Sequence, residues 1–112
     1  MSDRSITAVV RVVNSHGMHL RPADLFARTA ARFKSKVCVT FEGQQVDGRS
    51  IVELIMLAAR QGSELTICVT GDDCEAALRA LAELVAQGFG ELDTKENDEG
   101  RSTNDEGKTN DE

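Results

Sequence analysis

The sequence predicts an α+β fold, a two-layer open-faced sandwich in which three helices cover one face of a four-stranded sheet. Three observations predict it: short segments that alternate apolar and polar residues, longer segments with apolar residues three or four positions apart, and glycine-containing turns between them. The predicted elements follow in the order β-α-β-β-α-β-α. A chain of about 90 residues can bury a modest core of this kind.

The first half of this domain contains a strand, a helix and a hairpin. The β-branched run over 6–13 predicts the first strand. An alternating segment over 36–41 predicts a half-buried strand, and a tight turn at 42–43 leads into a shorter strand over 44–47. Between them, residues 20–33 are predicted to be helical because apolar side chains recur at helical spacing: Ala23, Phe26, Ala30 and Phe33.

The second half contains a short helix, a strand and a longer helix. Ser50 begins the short helix, which is predicted to reach about Ala59, and Gly62 separates it from an alternating strand over 65–70. The turn at 71–73 leads into the third helix, and Gly88 suits its end. The apolar face of this helix consists of Leu78, Leu81, Leu84 and Val85.

The cysteines follow from the same alternation. It places Cys38 and Cys68 on the outer face of the sheet. Together with Cys74 they show neither a disulfide framework nor a metal-ligand spacing, which predicts reduced, free thiols. The residues predicted to face inward on the same two strands are Val37, Val39 and Phe41, and Leu65, Ile67 and Val69.

The charge distribution divides the chain into two parts. Residues 1–90 carry equal numbers of acidic and basic side chains, so the net charge of −6 lies in residues 91–112. A neutral domain without Trp or Tyr argues against nucleic-acid binding. The second part has almost no apolar residues and is predicted to be a disordered acidic tail. Because there is no apolar run near ~20 residues and no secretory signal, we expect a cytoplasmic protein that does not enter a membrane.

One segment carries a pattern suited to phosphate chemistry, the run GMHLRPA over 17–23. Pro22 suits the first turn of a helix, which puts His19 at the helix N-terminus beside unpaired N–H groups. That position favours a neutral imidazole and a bound anion, and Arg21 adds a forked donor for phosphate oxygens. A histidine near a helix start can also be a cap or a plain surface residue.

This segment resembles the active-site motif of the HPr family, the phosphocarrier proteins of the sugar and nitrogen phosphotransferase systems. The segment 46–59 (VDGRSIVELIMLAA) is similar to the family's second helix, which begins at a serine. The match runs from about Ile6 to Gly90. The resemblance implies a mostly antiparallel sheet in strand order 1-4-2-3 and phosphorylation of His19 on Nδ1, its pros nitrogen.

The resemblance also implies a monomeric carrier without cofactor or metal, used stoichiometrically and not as an enzyme. An enzyme I-type protein would donate the phosphoryl group and an enzyme II A-type protein would accept it. A regulatory protein-binding module switched by phosphorylation is the alternative. A metal site built from His16, His19 and cysteines is a further alternative, but these residues lack suitable ligand spacing.

Several neighbours of His19 bear on partner choice. His16 is assigned to a solvated loop. Leu20 and Asp24 differ from the usual family pattern, and the carboxylate of Asp24 is expected to oppose a nearby phosphate. Helix two is too apolar to bury every side, so an exposed docking patch for partner proteins is expected. We assign to docking Leu20, Ile51, Val52 and Ile55, flanked by Arg28 and Arg49.

Ser50 allows two interpretations. The matching serine is phosphorylated by a dedicated kinase in some family members, so Ser50 is a possible regulatory phosphosite. It also begins a capping box in which Ser50 caps the helix and Glu53 reaches back. The charge of Glu53 would repel a phosphate on Ser50, which favours the capping role.

Overall fold

The computed structural model describes residues 4–90, and the elements follow the predicted order. The predicted acidic tail, residues 91–112, lies outside the described part. No helix within residues 4–90 has both the length and the apolar character needed to cross a membrane. The elements are β1 (Ser5–Arg11), α1 (Leu20–Ala31), β2 (Lys36–Phe41), β3 (Gln44–Asp47), α2 (Ile51–Met56), β4 (Glu64–Thr70), α3 (Cys74–Ala86) and a closing 3-10 turn (Gly88–Gly90).

The four strands form one sheet in the order β1-β4-β2-β3, and every neighbouring pair is antiparallel. This confirms the strand order implied by the family resemblance. Val69 of β4 lies opposite Ile6 of β1 on one side and Val37 of β2 on the other. The inner face of the sheet is therefore a continuous apolar surface across three strands.

The core lies between this inner face and the three helices. Phe26 of α1, Leu54 of α2 and Leu81 of α3 are completely buried in it. Of the residues predicted to face inward on β2 and β4, only Phe41 is half-buried, because it ends β2 at the exposed hairpin turn. The others are buried: Val37, Val39, Leu65, Ile67 and Val69.

Three predicted elements were too long. β1 ends at Arg11 and α1 at Ala31, each two residues early, and α2 ends at Met56 instead of Ala59. Helix α2 stops because Ala58 adopts a left-handed backbone conformation, with φ of 56°, that a right-handed helix cannot include. The resulting change of direction turns the following backbone toward the start of α1.

The outer face of the sheet is open to solvent. Cys38 and Cys68 lie on it, half-buried and directly opposite each other, as their alternation predicts. Both thiols are free, and so is the buried thiol of Cys74 at the start of α3. The prediction about the faces is confirmed.

Candidate functional site

His19 is the N-cap residue of α1, the position that the sequence predicts for it. Its backbone is extended, with φ of −96° and ψ of −166°, and its carbonyl accepts the first helical hydrogen bond from Ala23 N–H at 3.0 Å. The N–H groups of the first turn have no partner inside the helix. The half-buried imidazole thus projects from the positive end of a 12-residue helix whose first turn contains no acidic residue.

The loop before His19 is held by backbone contacts with the end of α2. Met18 N–H donates to Ala59 O at 2.9 Å, and the buried Asn14 donates from Nδ2 to Gly17 O at 2.8 Å. Gly17 has a φ of 67°, and a Cβ atom there would lie 2.3 Å from Ala59 O. Only glycine fits this close approach without strain, so Gly17 fixes the direction from which the chain reaches His19.

The two arginines near His19 differ in their ion-pair partners. Arg21 is exposed, and none of the ion pairs formed by residues 4–90 includes it. Its guanidinium can therefore turn to an anion at the helix N-terminus. Arg28 instead donates from Nε to Asp24 Oδ1 at 2.9 Å. The carboxylate of Asp24 was expected to oppose a nearby phosphate, and Arg28 one turn later partly offsets its charge.

His16 lies closer to His19 than the sequence analysis expected. It is exposed in the loop, as predicted, but its ring meets the ring of His19 edge-on with 5.7 Å between centroids. The turn at Gly17 brings the two rings together. The spacing of three residues around a glycine was the available signal.

An apolar surface lies beside this helix start. The Met18–Ala59 hydrogen bond brings the end of α2 next to the beginning of α1, where Leu20 is exposed. Met56 was not among the residues assigned to docking from the sequence, although it follows Val52 by one helical turn. Ile51, which was assigned to docking, is half-buried against the core. We define the apolar patch as Leu20 (65% exposed), Val52 (65%), Ile55 (37%) and Met56 (64%).

Ser50 caps α2, but the capping box is only half formed. Its hydroxyl oxygen accepts a hydrogen bond from Glu53 N–H at 3.2 Å. The Glu53 carboxylate reaches back past Ser50 and accepts from Asp47 N–H at 3.0 Å, while Ser50 N–H donates to Asp47 O. Ser50 therefore has an occupied structural role in this fold.

Arg49 is also occupied, which its exposure alone would not indicate. Its Nη2 donates to the carbonyl oxygens of Phe33 and Ser35 at 2.7 and 2.8 Å. The guanidinium thus holds the chain between α1 and β2. The sequence assigned Arg49 to steering partner proteins, but its guanidinium is already used in this contact within the fold.

Comparison with known proteins agrees with this architecture. Residues 6–87 match the family model described as the PTS HPr component phosphorylation site. The chain is 40% identical over 82 residues to the phosphocarrier protein HPr of Neisseria meningitidis serogroup A, covering 73% of this chain and 92% of that protein. It is 37% identical over 93 residues to a multiphosphoryl transfer protein of Vibrio cholerae, covering 80% of this chain but 23% of that longer protein.

Solved structures give the same result. HPr from Thermoanaerobacter tengcongensis superposes with a TM-score of 0.74 at 35% identity, covering 77% of this chain and 97% of that one. The HPr of Bacillus anthracis gives a TM-score of 0.71 at 36% identity, covering 74% and 99%. Residues 6–87 of the family match include the whole segment around His19 and α2. The chain belongs to the HPr family of the phosphotransferase system.

Proposed function

We propose that this protein is a cytoplasmic phosphocarrier that accepts a phosphoryl group on His19 and passes it to a second protein. The observation that carries the proposal is the position of the imidazole at the N-cap of α1, with the exposed Arg21 two residues later. The dipole of α1, the N–H groups of its first turn and the guanidinium of Arg21 together favour an anion beside His19. Membership of the HPr family supports the same role.

The transfer step needs positioning more than covalent machinery. The lone pair of one ring nitrogen of His19, Nδ1 by resemblance, attacks phosphorus as the bond from phosphorus to the donor breaks. The other ring nitrogen keeps its proton. Charge on the moving group is stabilised by the guanidinium of Arg21 and by the N–H groups of the first helical turn. The reverse sequence then delivers the group to the acceptor, so the carrier is used stoichiometrically.

Donor and acceptor must reach the same imidazole, so they use the same surface in turn. The apolar patch beside His19 supplies the buried centre of such an interface, and the exposed Arg21 supplies a cation for acidic partners. Arg28 and Arg49 contribute less than the sequence suggested, because Arg28 is paired with Asp24 and Arg49 bonds two backbone carbonyl oxygens. We propose an enzyme I-type donor and an enzyme II A-type acceptor, of the sugar or nitrogen branch, binding a monomer. Regulatory phosphorylation at Ser50 remains a secondary proposal, because the hydroxyl already caps α2.

The test is a complete relay with labelled phosphoenolpyruvate, an enzyme I-type donor and an enzyme II A-type acceptor. Label should reach the acceptor only when this protein is present. His19→Ala should stop the relay, and His16→Ala, a matched change at the neighbouring ring, should leave it nearly intact. Arg21→Ala should slow transfer by ten- to a hundredfold, since a charge-assisted contact contributes about 1.5–3 kcal/mol.

The relay also separates the alternatives. A protein that accepts label but does not pass it on would be a regulatory module switched by phosphorylation. A protein that accepts no label on either histidine would contradict the proposal altogether.

A further inference from the structure

The open face of the sheet, on the side away from the helices, holds two thiols in direct opposition. Cys38 of β2 and Cys68 of β4 are Cα partners in the antiparallel register. Both are half-buried on the outer face and both are free. Opposed side chains on one face of a sheet have Cβ atoms only about 4.5–5.5 Å apart.

Hydrogen bonds at the strand ends show which kind of pair this is. Gly48 N–H donates to Val37 O at 2.9 Å, so the polar groups of Val37 point toward β3. Successive residues of a strand point their polar groups to opposite sides, so those of Cys38 point toward β4.

The other strand gives the matching result. Val12 N–H donates to Ser63 O at 2.8 Å and Gly71 N–H donates to Arg4 O at 2.9 Å, so the odd-numbered positions from 63 to 71 direct their polar groups toward β1. Five residues after Ser63, those of Cys68 point toward β2 by the same alternation. Cys38 and Cys68 are therefore a hydrogen-bonded pair, with a Cα separation of about 5.5 Å, inside the range that a disulfide spans.

The separation of the two Cβ atoms in such a pair also determines how strained a disulfide between the two sulfurs would be. Cβ atoms in a disulfide lie about 3.8 Å apart on average, closer than in a hydrogen-bonded pair. Bridging must draw the two strands together locally. A strained bond of this kind is readily reduced, as regulatory and exchangeable disulfides are.

The two thiols differ in access. Cys38 lines an open groove between β2, β3 and the start of α2, which also contains the basic side chains of Lys34 and Lys36, while Arg49 at the same groove is bonded to two backbone carbonyl oxygens. The acidic residues of the groove, Asp47 and Glu53, each accept a backbone hydrogen bond. Cys68 Sγ lies 3.5 Å from the hydroxyl of Ser5. A small anionic reagent therefore meets Cys38 first.

We propose that Cys38 and Cys68 form a dithiol modification site that exchanges with a small acidic disulfide of the glutathione class. The Cys38 thiolate attacks the small disulfide, which forms a mixed disulfide and releases one small thiolate. The Cys68 thiolate then attacks Cys38 Sγ and releases the second. The two protein sulfurs are oxidised, the small disulfide is reduced to two thiols, and the protons of the two cysteines end on those thiols.

The experiment treats the reduced full-length protein with excess oxidised glutathione and follows intact mass and peptide linkage. We expect a loss of two hydrogen atoms, a peptide linked through Cys38 and Cys68, and full reversal by dithiothreitol. Cys68→Ser should stop at a mixed disulfide on Cys38. Cys38→Ser should form its mixed disulfide on Cys68 at least tenfold more slowly, and the buried Cys74 should stay unmodified.

A matched control keeps two thiols on the outer face but removes their opposition. Thr40 lies opposite Thr66, not Cys68, so the double variant Cys38→Ser/Thr40→Cys places the thiols diagonally. Diagonal neighbours lie about 7–8 Å apart, beyond the reach of a disulfide, so this variant should not close. A wild type that stops at mixed disulfides, that links Cys74 or a second chain, or that closes no faster than this control would overturn the proposal.

Discussion

The two ends of α1 are held in opposite ways. At its start, uncharged groups do the anchoring: Met18 N–H donates to Ala59 O, and Asn14 Nδ2 donates to Gly17 O. The side chains of Leu20 and Arg21 stay exposed. This end of the helix keeps its side chains available to molecules outside the chain.

Beyond the other end of α1, charged side chains are bound within the protein. Asp73 accepts hydrogen bonds from Lys34 N–H, at 2.9 Å, and from both N–H and hydroxyl of the buried Ser35. Arg49 donates to the carbonyl oxygens of Phe33 and Ser35 from the opposite side. The backbone between α1 and β2 thus finds its partners in two charged groups.

This contrast distinguishes charge used for function from charge used for structure. The Ser35 junction, defined as Ser35 with Asp73 and Arg49, contains two charged groups, and both are hydrogen-bonded inside the fold. A partner protein gains little from groups already bonded, whereas an unpaired guanidinium beside an exposed apolar patch gives it both charge and area. The comparison therefore supports the proposed interaction surface at the start of α1.

The largest expected effect comes from the backbone anchor. Gly17→Ala should lower the free energy of unfolding by roughly 2–4 kcal/mol, because the added Cβ collides with Ala59 O and the φ of 67° is strained. Gly43→Ala is the control, since Gly43 has a φ of 83° but nothing within 4 Å of a Cβ, and it should cost about 1 kcal/mol. If urea unfolding finds the same loss of unfolding free energy for both variants, the close approach at Gly17 does not contribute to stability.

The next effect separates docking from stability. Leu20→Ser and Met56→Ser should each weaken donor or acceptor binding by about tenfold or more, because each removes an exposed apolar contact. Their unfolding free energies should change by less than about 0.5 kcal/mol. Val9→Ser is the matched control, since Val9 is 64% exposed on the outer face of the sheet. Calorimetric titration that finds Val9→Ser as harmful as the other two would remove the patch from the account.

The smallest effect is present at neutral pH and disappears in acid. The hydroxyl of Ser35 and the N–H of Lys34 hold the pKa of Asp73 below its usual value of 3.8. The carboxylate is therefore favoured in the folded state, so its stabilisation is complete above the unfolded pKa and is lost as the pH falls through the lower, folded pKa. Asp73→Asn should be less stable than wild type at neutral pH, and the difference should be smaller at an acidic pH below 3.8. Denaturant unfolding at both values checks this, and a difference independent of pH would assign no role to the charge.

Much of this architecture could be predicted from local sequence patterns. Alternation placed Cys38 and Cys68 on the open face, and the Pro22 position placed His19 at a helix start. Both depend on residues close together in the chain. The strand order came from the resemblance to HPr proteins, because strand patterns alone do not fix which strands become neighbours.

The errors arose where distant segments meet. The early end of α2 follows from the left-handed backbone of Ala58, next to the hydrogen bond between Met18 N–H and Ala59 O, and the carbonyl contacts of Arg49 depend on how α1 leads into β2. Helical periodicity contains no signal for either contact. Met56 is different. Its spacing from Val52 was visible in the sequence, but its exposure depends on which face of the shortened α2 packs against the core.

The most direct test of the central claim is to locate the phosphoryl group itself. After phosphorylation by an enzyme I-type donor, peptide mass mapping should place one group on His19, in a linkage that is labile in acid and stable in base. His16→Ala should keep this modification, and His19→Ala should lose it while its stability changes little. A phosphoryl group on His16 or Ser50, or a His19→Ala protein that still carries phosphate between partners, would contradict the account.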